Sequence, residues 1–161
     1  MPYFLVGGTA FGRGRGDVVE ALPDLAEDDL WLVNPAGGVS TRSLFESGLL
    51  AFRSAPHPLL DSLRQGRIER ASEAVGVNDL QPAVLAMSEP VRDVYNSLVL
   101  IGMKRVRVSG SGATMFVFRS GAGNERESLS LLPREVSLFQ VQTLSRSSIA
   151  ARRTVNCLGG P

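Results

Sequence analysis

Apolar positions fall into short clusters along this chain, and their spacing changes from one segment to the next. PYFLVGG (2–8) is an apolar run closed by two glycines; it is too brief for helical periodicity to develop and predicts a buried strand. DVVEALP (17–23) and LWLVNP (30–35) predict two more strands, each closed by proline, with Trp31 as a core residue. In GGVSTRSLFESGLL (37–50) the period lengthens. There Ser40 or Thr41 can cap a short helix that turns Leu44 and Phe45 inward.

Residues 53–79 are polar and carry Pro, Gly and Ser, which fits either a junction between two units or a helical excursion. From Leu80 the pattern sharpens. Ser88 is placed to cap EPVRDVYNSLVLIG (89–102), where Val91, Val94, Tyr95 and Leu98 recur at i, i+3, i+4 and i+7. Pro90 sits in the tolerated first turn and Gly102 supplies the stop. RVRVS (105–109) alternates, with Val106 and Val108 on one face and Arg105 and Arg107 on the other. TMFVFR (114–119) predicts the next strand, NERESLSLL (124–132) a short helix capped by Asn124, and EVSLFQVQTL (135–144) a last strand. The order from residue 80 is thus helix, helix, strand, strand, helix, strand. That order predicts a two-layer α+β unit, helices on one face of an antiparallel sheet, self-contained over 80–145. Residues 1–50 are then an incomplete piece of a neighbouring domain. The tail SRSSIAARRTVNCLGGP (145–161) is weakly patterned, with Arg152 and Arg153 solvated.

Composition narrows the function classes. Of 161 residues, 43% are hydrophobic and 20% charged, so a packed core is expected. Lys and Arg number 17 against 16 Asp and Glu, a net charge of +1, which supports neither a nucleic-acid surface nor a polybasic membrane anchor. Small-molecule chemistry stays open. No run approaches the roughly 20 apolar residues needed to cross a bilayer, and the start lacks the basic region and cleavage site of a secretory signal. Cys157 is the single cysteine, which rules out an internal disulfide and fits a reducing, cytoplasmic setting. His57, between prolines in SAPHPLL, reads as structural.

Two glycine-rich stretches carry candidate chemistry. GGTAFGRGRGD (7–17) matches no phosphate-binding fingerprint: Gly12, Gly14 and Gly16 give G-x-G-x-G, and no G-K-[ST] follows. It reads as a hairpin turn, or as a turn projecting Arg13 or Arg15 toward an anionic ligand, since Arg can fork onto phosphate oxygens. RVSGSGATMFVF (107–118) places glycine between two strands, where it marks a bend or a place where a ligand nears the backbone.

PYFLVGGTAFGRGRGD, NPAGGVSTRSLF, NDLQPAVLAM and RVSGSGATMFV, in this order and spacing, resemble the C-terminal half of the 4-diphosphocytidyl-2-C-methyl-D-erythritol kinases, a GHMP-superfamily family of the non-mevalonate isoprenoid pathway. The resemblance implies a ferredoxin-like C-terminal domain over 53–161, preceded over 1–52 by a β-rich remnant of the N-terminal catalytic domain. It implies ATP and Mg as cofactors and 4-diphosphocytidyl-2-C-methyl-D-erythritol as the acceptor, phosphorylated at its 2-hydroxyl. Gly110, Ser111 and Gly112 correspond to the turn beside the phosphates, where backbone N–H groups without nearby Cβ atoms can approach an anion. Thr41 corresponds to a threonine near the substrate, so its hydroxyl serves the ligand as well as, or instead of, capping a helix. Arg15 is the substrate-binding candidate of the first turn.

The match departs from the family in two places. Ala113 replaces a common proline after the second glycine. At the front, Pro2 matches the proline of a D-V-P tripeptide and Met1 stands at its valine, so the catalytic aspartate falls before residue 1. The family's lysine and its first glycine-rich ATP loop also belong to the other half. Phosphoryl transfer needs phosphate cradle, metal and base together. No catalytic residue and no metal ligand is therefore assigned within these residues, and the chain alone is expected to be inactive, with a separate N-terminal half as a possible partner. The competing expectations are a non-catalytic module for ligand binding or subunit pairing, and a fragment of another GHMP kinase.

Overall fold

In chain order the elements of the computed structural model are β1 (Ala10–Arg13), β2 (Val18–Ala21), β3 (Asp29–Asn34), α1 (Thr41–Glu46), α2 (Leu60–Arg64), α3 (Gln81–Met87), α4 (Glu89–Leu100), β4 (Arg107–Val108), β5 (Met115–Phe118), α5 (Glu125–Leu129) and β6 (Ser137–Gln142). The structure describes residues 6–51, 59–74, 76–121 and 124–151; His57, Arg152, Arg153 and Cys157 lie outside them. These residues form two compact units interleaved along the chain. One draws on 6–28, 59–74 and 142–151, the other on 29–51, 76–121 and 124–141.

The second unit is built on a four-stranded sheet of order β4-β5-β3-β6. β3 and β5 run antiparallel with Trp31 opposite Val117 and Val33 opposite Met115, and β4 pairs antiparallel to β5 with Val108 opposite Met115. Because side chains alternate along a strand, this register gathers Trp31, Val33, Val108, Met115 and Val117 on one face. All five are buried, in one core with Leu44 of α1, Ala83 and Val84 of α3, and Val91, Val94 and Leu98 of α4. Burying a side chain such as Leu44, Leu98 or Met115 contributes about 1.5–3 kcal/mol. The arrangement is α+β, as the element order predicts.

Local signals explain the helices. Ser88 extends into β geometry and its Oγ accepts from Val91 N at 3.5 Å, while Pro90 occupies the first turn of α4. At the other end Gly102 has φ +87°, Met103 N–H donates to Leu98 O and Gly102 N–H to Val99 O, a glycine-dependent helix stop. Ser40 caps α1 by accepting from Ser43 N.

Several expectations are corrected. Residues 80–145 do not complete their own sheet, because β3 from the first third of the chain lies between β5 and β6. The boundary expected at 52/53 falls in a stretch outside the described residues. Phe45 is 56% exposed; α1 is six residues long and only Leu44 reaches the core. Val6 to Gly8 do not form a strand, Gly7 and Gly8 having φ +67° and +58°; residues 2–5 of the same run lie outside the described residues. The alternating RVRVS segment pairs only over Arg107–Val108, since Arg105 turns out of extended geometry at φ +56°. Asn124 precedes α5 but makes no side-chain cap. Within 53–79 the described excursion is α2.

The first unit carries the β1–β2 hairpin, in register Ala10 to Ala21. Arg64 of α2 donates from Nε and Nη2 to the two carboxylate oxygens of Glu20, at 2.9 and 2.7 Å, and its guanidinium lies 5.6 Å from the Phe11 ring centre. This bidentate hydrogen bonding holds the Glu20 carboxyl below its ordinary pKa. Arg146 donates to Gly7 O, Thr9 O and Leu22 O, tying the hairpin's base to residues 146–151, which are helical.

Candidate functional site

The antiparallel register of β3 and β5 decides which loops meet. Val33 faces Met115, so the chain leaving β3 runs beside the chain entering β5. Three contacts follow from that adjacency: Thr114 Oγ1 donates to Asn34 Oδ1 at 3.1 Å, a Cβ at Gly38 would lie 3.5 Å from Ala113 Cβ, and Thr41 Oγ1 and Ser111 Oγ are 2.8 Å apart. Thr41 is the first residue of α1, and Ser111 is the tip of the β4–β5 turn. The structure thus brings Thr41 together with Gly110, Ser111 and Gly112.

The turn is internally fixed. Ser109 N–H donates to Thr114 O at 2.8 Å and Gly112 N–H to Ser109 O at 3.1 Å. The amides of Gly110 and Ser111 donate to no group of the described protein. Gly110 has φ +58° and open space where a Cβ would stand, so a ligand can reach its backbone. Gly112, at φ +87°, differs. A Cβ there would meet Val84 Cγ1 at 3.0 Å and Val108 Cγ1 at 3.6 Å, inside the core. A side chain at Gly112 would therefore enter the hydrophobic core rather than the open side of the turn. The Gly112–Ala113 peptide is cis.

Arg15 belongs to the other unit. It sits in the β1–β2 turn, where Gly16 N–H donates to Arg13 O and Asp17 Oδ1 accepts from Arg15 N at 3.0 Å. Asp17 is thus engaged in closing the turn, and the guanidinium of Arg15 is exposed with no partner among the described residues.

NDLQ lies within one of the resembling segments, but no pattern in the sequence gives its residues a task. In the structure Asn78 Nδ2 donates to Val108 O at 2.9 Å and Gly110 O at 2.8 Å, while Gln81 Oε1 accepts from Val108 N at 2.9 Å. One local signal was available: Asn78 Oδ1 accepts from Leu80 N, the Asx turn common before helices. Beside it an open groove of about 310 Å³ is lined by Leu49, Val77, Asp79, Pro82 and Arg107 among others.

Two buried carboxylates stand apart from the turn. Burial pushes the Asp28 carboxyl up, but Arg70, the Ser72 amide and the Ser72 hydroxyl together bring it below its ordinary value. For Glu125 burial acts in the same upward sense and is outweighed by the Ser120 hydroxyl and amide and the Arg119 charge. Among the described residues, no three His, Cys, Asp or Glu side chains converge as a metal site, and no helix is long and apolar enough to cross a membrane.

Comparison with known proteins gives this geometry a context. Residues 59–129 match the family of GHMP kinases, C terminal. The chain is similar to the 4-diphosphocytidyl-2-C-methyl-D-erythritol kinase of Enterococcus faecalis, with 35% identity over 72% of this chain and 41% of that protein. It is also similar to the kinases of the same name from Rhizobium meliloti, with 36% identity over 75% and 40%, and Sinorhizobium medicae, with 33% over 96% and 49%. The chain spans about half, or less, of the length of these curated relatives. A crystal structure of 4-(cytidine 5'-diphospho)-2C-methyl-D-erythritol kinase superposes with a TM-score of 0.64 at 21% identity, over 88% of this chain and 52% of that one. Homoserine kinase from Cytophaga hutchinsonii superposes with a TM-score of 0.56 at 16% identity, over 89% and 50%, so the fold is shared. Through residues 59–129 the chain carries a GHMP kinase C-terminal domain.

Proposed function

We propose that this chain is the C-terminal portion of an ATP-dependent small-molecule kinase whose acceptor is the 2-hydroxyl of 4-diphosphocytidyl-2-C-methyl-D-erythritol. The observation that carries the reading is the turn itself. Two consecutive amides, Gly110 and Ser111, have no partner among the described residues at its tip, and the Thr41 hydroxyl is hydrogen-bonded beside them. Successive free N–H groups in a turn make an anion-binding concavity. Gly110, Ser111 and Gly112 then form the phosphate turn, with Gly112 shaping it from the core side. Thr41 and Arg15 are the substrate-binding candidates, the first as a hydroxyl and the second as a free cation. Magnesium enters with the nucleotide, as ATP-dependent phosphoryl transfer requires. The domain division proposed is that of the family, near residues 52 and 53.

These 161 residues do not include the D-V-P aspartate, the lysine or the first ATP loop of the family, so by themselves they transfer no phosphate at an enzymatic rate. The test assays the purified chain with ATP, magnesium and the diphosphocytidyl acceptor, first alone and then with the N-terminal half of the Enterococcus faecalis relative added as a separate polypeptide. Turnover only in the second assay is expected. Turnover by the chain alone contradicts its inactivity, and no turnover in either leaves a non-catalytic binding module as the function.

A further inference from the structure

β4 is an end strand of its sheet, and an unpaired strand edge needs partners for its N–H and C=O groups. Side chains supply them here. Gln81 Oε1 accepts from Val108 N, and both donors of the Asn78 amide are committed, one to Val108 O and one to Gly110 O. We propose that Asn78 is a positioning residue that aims the Ser111 amide outward from the turn, toward the anion. This rests on the turn's being the phosphate site.

Peptide geometry sets the direction of the Ser111 amide. Gly110 C=O and Ser111 N–H belong to one trans peptide and point in opposite directions. Holding the carbonyl against Asn78 Nδ2 turns the Ser111 N–H away from Asn78, and that is an amide with no partner among the described residues. The neighbouring peptide obeys the same logic. Val108 C=O faces Asn78, and the Ser109 N–H on the opposite side donates to Thr114 O. Asn78 itself is fixed by the bond from Leu80 N to its Oδ1. An Asp at position 78 keeps the shape but sets a carboxylate against two carbonyl oxygens, which favours rotating the Gly110–Ser111 peptide so that Ser111 N–H turns inward to donate to it.

The test uses the 161-residue chain, tripolyphosphate as the probe, and the ¹⁵N–¹H resonance and solvent exchange of Ser111. In the parent, the Ser111 amide exchanges freely and shifts on binding. In Asn78→Asp the amide is expected to become protected, with a shift that follows carboxylate protonation, and tripolyphosphate affinity to fall by about tenfold, the loss of roughly one charge-assisted hydrogen bond. Asn78→Ser, short and neutral, is the second variant; it is expected to weaken binding without protecting Ser111. A folded variant that binds within about twofold of the parent with unchanged Ser111 exchange overturns the positioning role and leaves the phosphate site standing. A parent whose Ser111 resonance ignores saturating tripolyphosphate overturns the phosphate site, and the inference with it. Unfolding of both variants assigns Asn78 to the fold alone and also overturns it.

Discussion

The hydroxyls of Thr41 and Ser111 stand 2.8 Å apart although 70 positions separate them in the chain. The pairing of Val33 with Met115 makes this contact, since it lays the loop after β3 against the turn before β5. A hydrogen bond between two accessible hydroxyls contributes at most about 1 kcal/mol to folding, because water satisfies both when it breaks. Thr41→Val and Ser111→Ala are therefore expected to leave the melting transition nearly unchanged. In the two-piece kinase assay each is expected to lower kcat/KM by about tenfold, the scale of one lost hydrogen bond to a ligand. The double variant should lose little more than the worse single one if the two hydroxyls act as a unit. Full additivity would show that they act separately.

Gly110 and Gly112 are two positions apart and answer substitution differently. Gly112→Val forces a β-branched residue to φ +87° and drives its Cβ against Val84 and Val108, so a loss of about 1–3 kcal/mol is expected from overpacking, with backbone strain added. Gly110→Asn keeps φ +58°, a conformation Asn adopts with least penalty, in open space, and is expected to cost under about 1 kcal/mol. Urea midpoints compare them directly. A Gly112→Val chain as stable as the parent would remove the core-facing assignment.

That contrast marks where the sequence stops being readable. The α4 helix was legible because its determinants are local: a serine cap, Pro90 in the first turn, and Val91, Val94 and Leu98 one face apart. The place of β3 between β5 and β6 was not, since pairing Trp31 with Val117 depends on contacts across most of the chain that no local period records. The motif RVSGSGATMFV located the turn, yet which glycine faces open space and which faces Val84 is a property of the packed core. Asn78 and Gln81 escaped assignment for a related reason. A side chain that satisfies a strand edge leaves no period in the sequence, and the Asx turn at Asn78 marks only the start of a helix.

Asp28 gives the fold a pH dependence. Its Oδ1 accepts from Arg70 Nε and Nη2 at 2.9 and 2.7 Å and its Oδ2 from Ser72 N and Oγ at 3.0 and 2.9 Å, so all four partners are donors. Asp28→Asn must turn an NH₂ group toward two of them, and a loss of about 1–3 kcal/mol at pH 7 is expected. The folded-state pKa of Asp28 is lowered, so its contribution is complete above the unfolded value near 3.9 and fades as pH falls through the lower folded value. Urea midpoints of parent and variant should accordingly converge as pH drops from 5 toward 2. A gap that stays constant over that interval would place the effect in packing rather than charge.

Arg15 is the remaining candidate, and its test separates ligand attraction from general charge. The backbone at Arg15 is held by Asp17, whereas the guanidinium is exposed and unpartnered among the described residues, so Arg15→Gln should change stability by less than about 0.5 kcal/mol. An exposed cation acts on a diphosphate through a field that salt screens within about 8–10 Å. In the two-piece assay Arg15→Gln is therefore expected to raise KM for the diphosphocytidyl acceptor several-fold, on the order of 1 kcal/mol, with kcat little changed. Its KM should also depend less steeply on salt than the parent's. Arg134→Gln makes the same change in net charge at another exposed position. Equal increases in KM for the two variants would trace the effect to net charge and remove Arg15 from the substrate site, whereas an increase confined to Arg15→Gln places its guanidinium against the acceptor's phosphates.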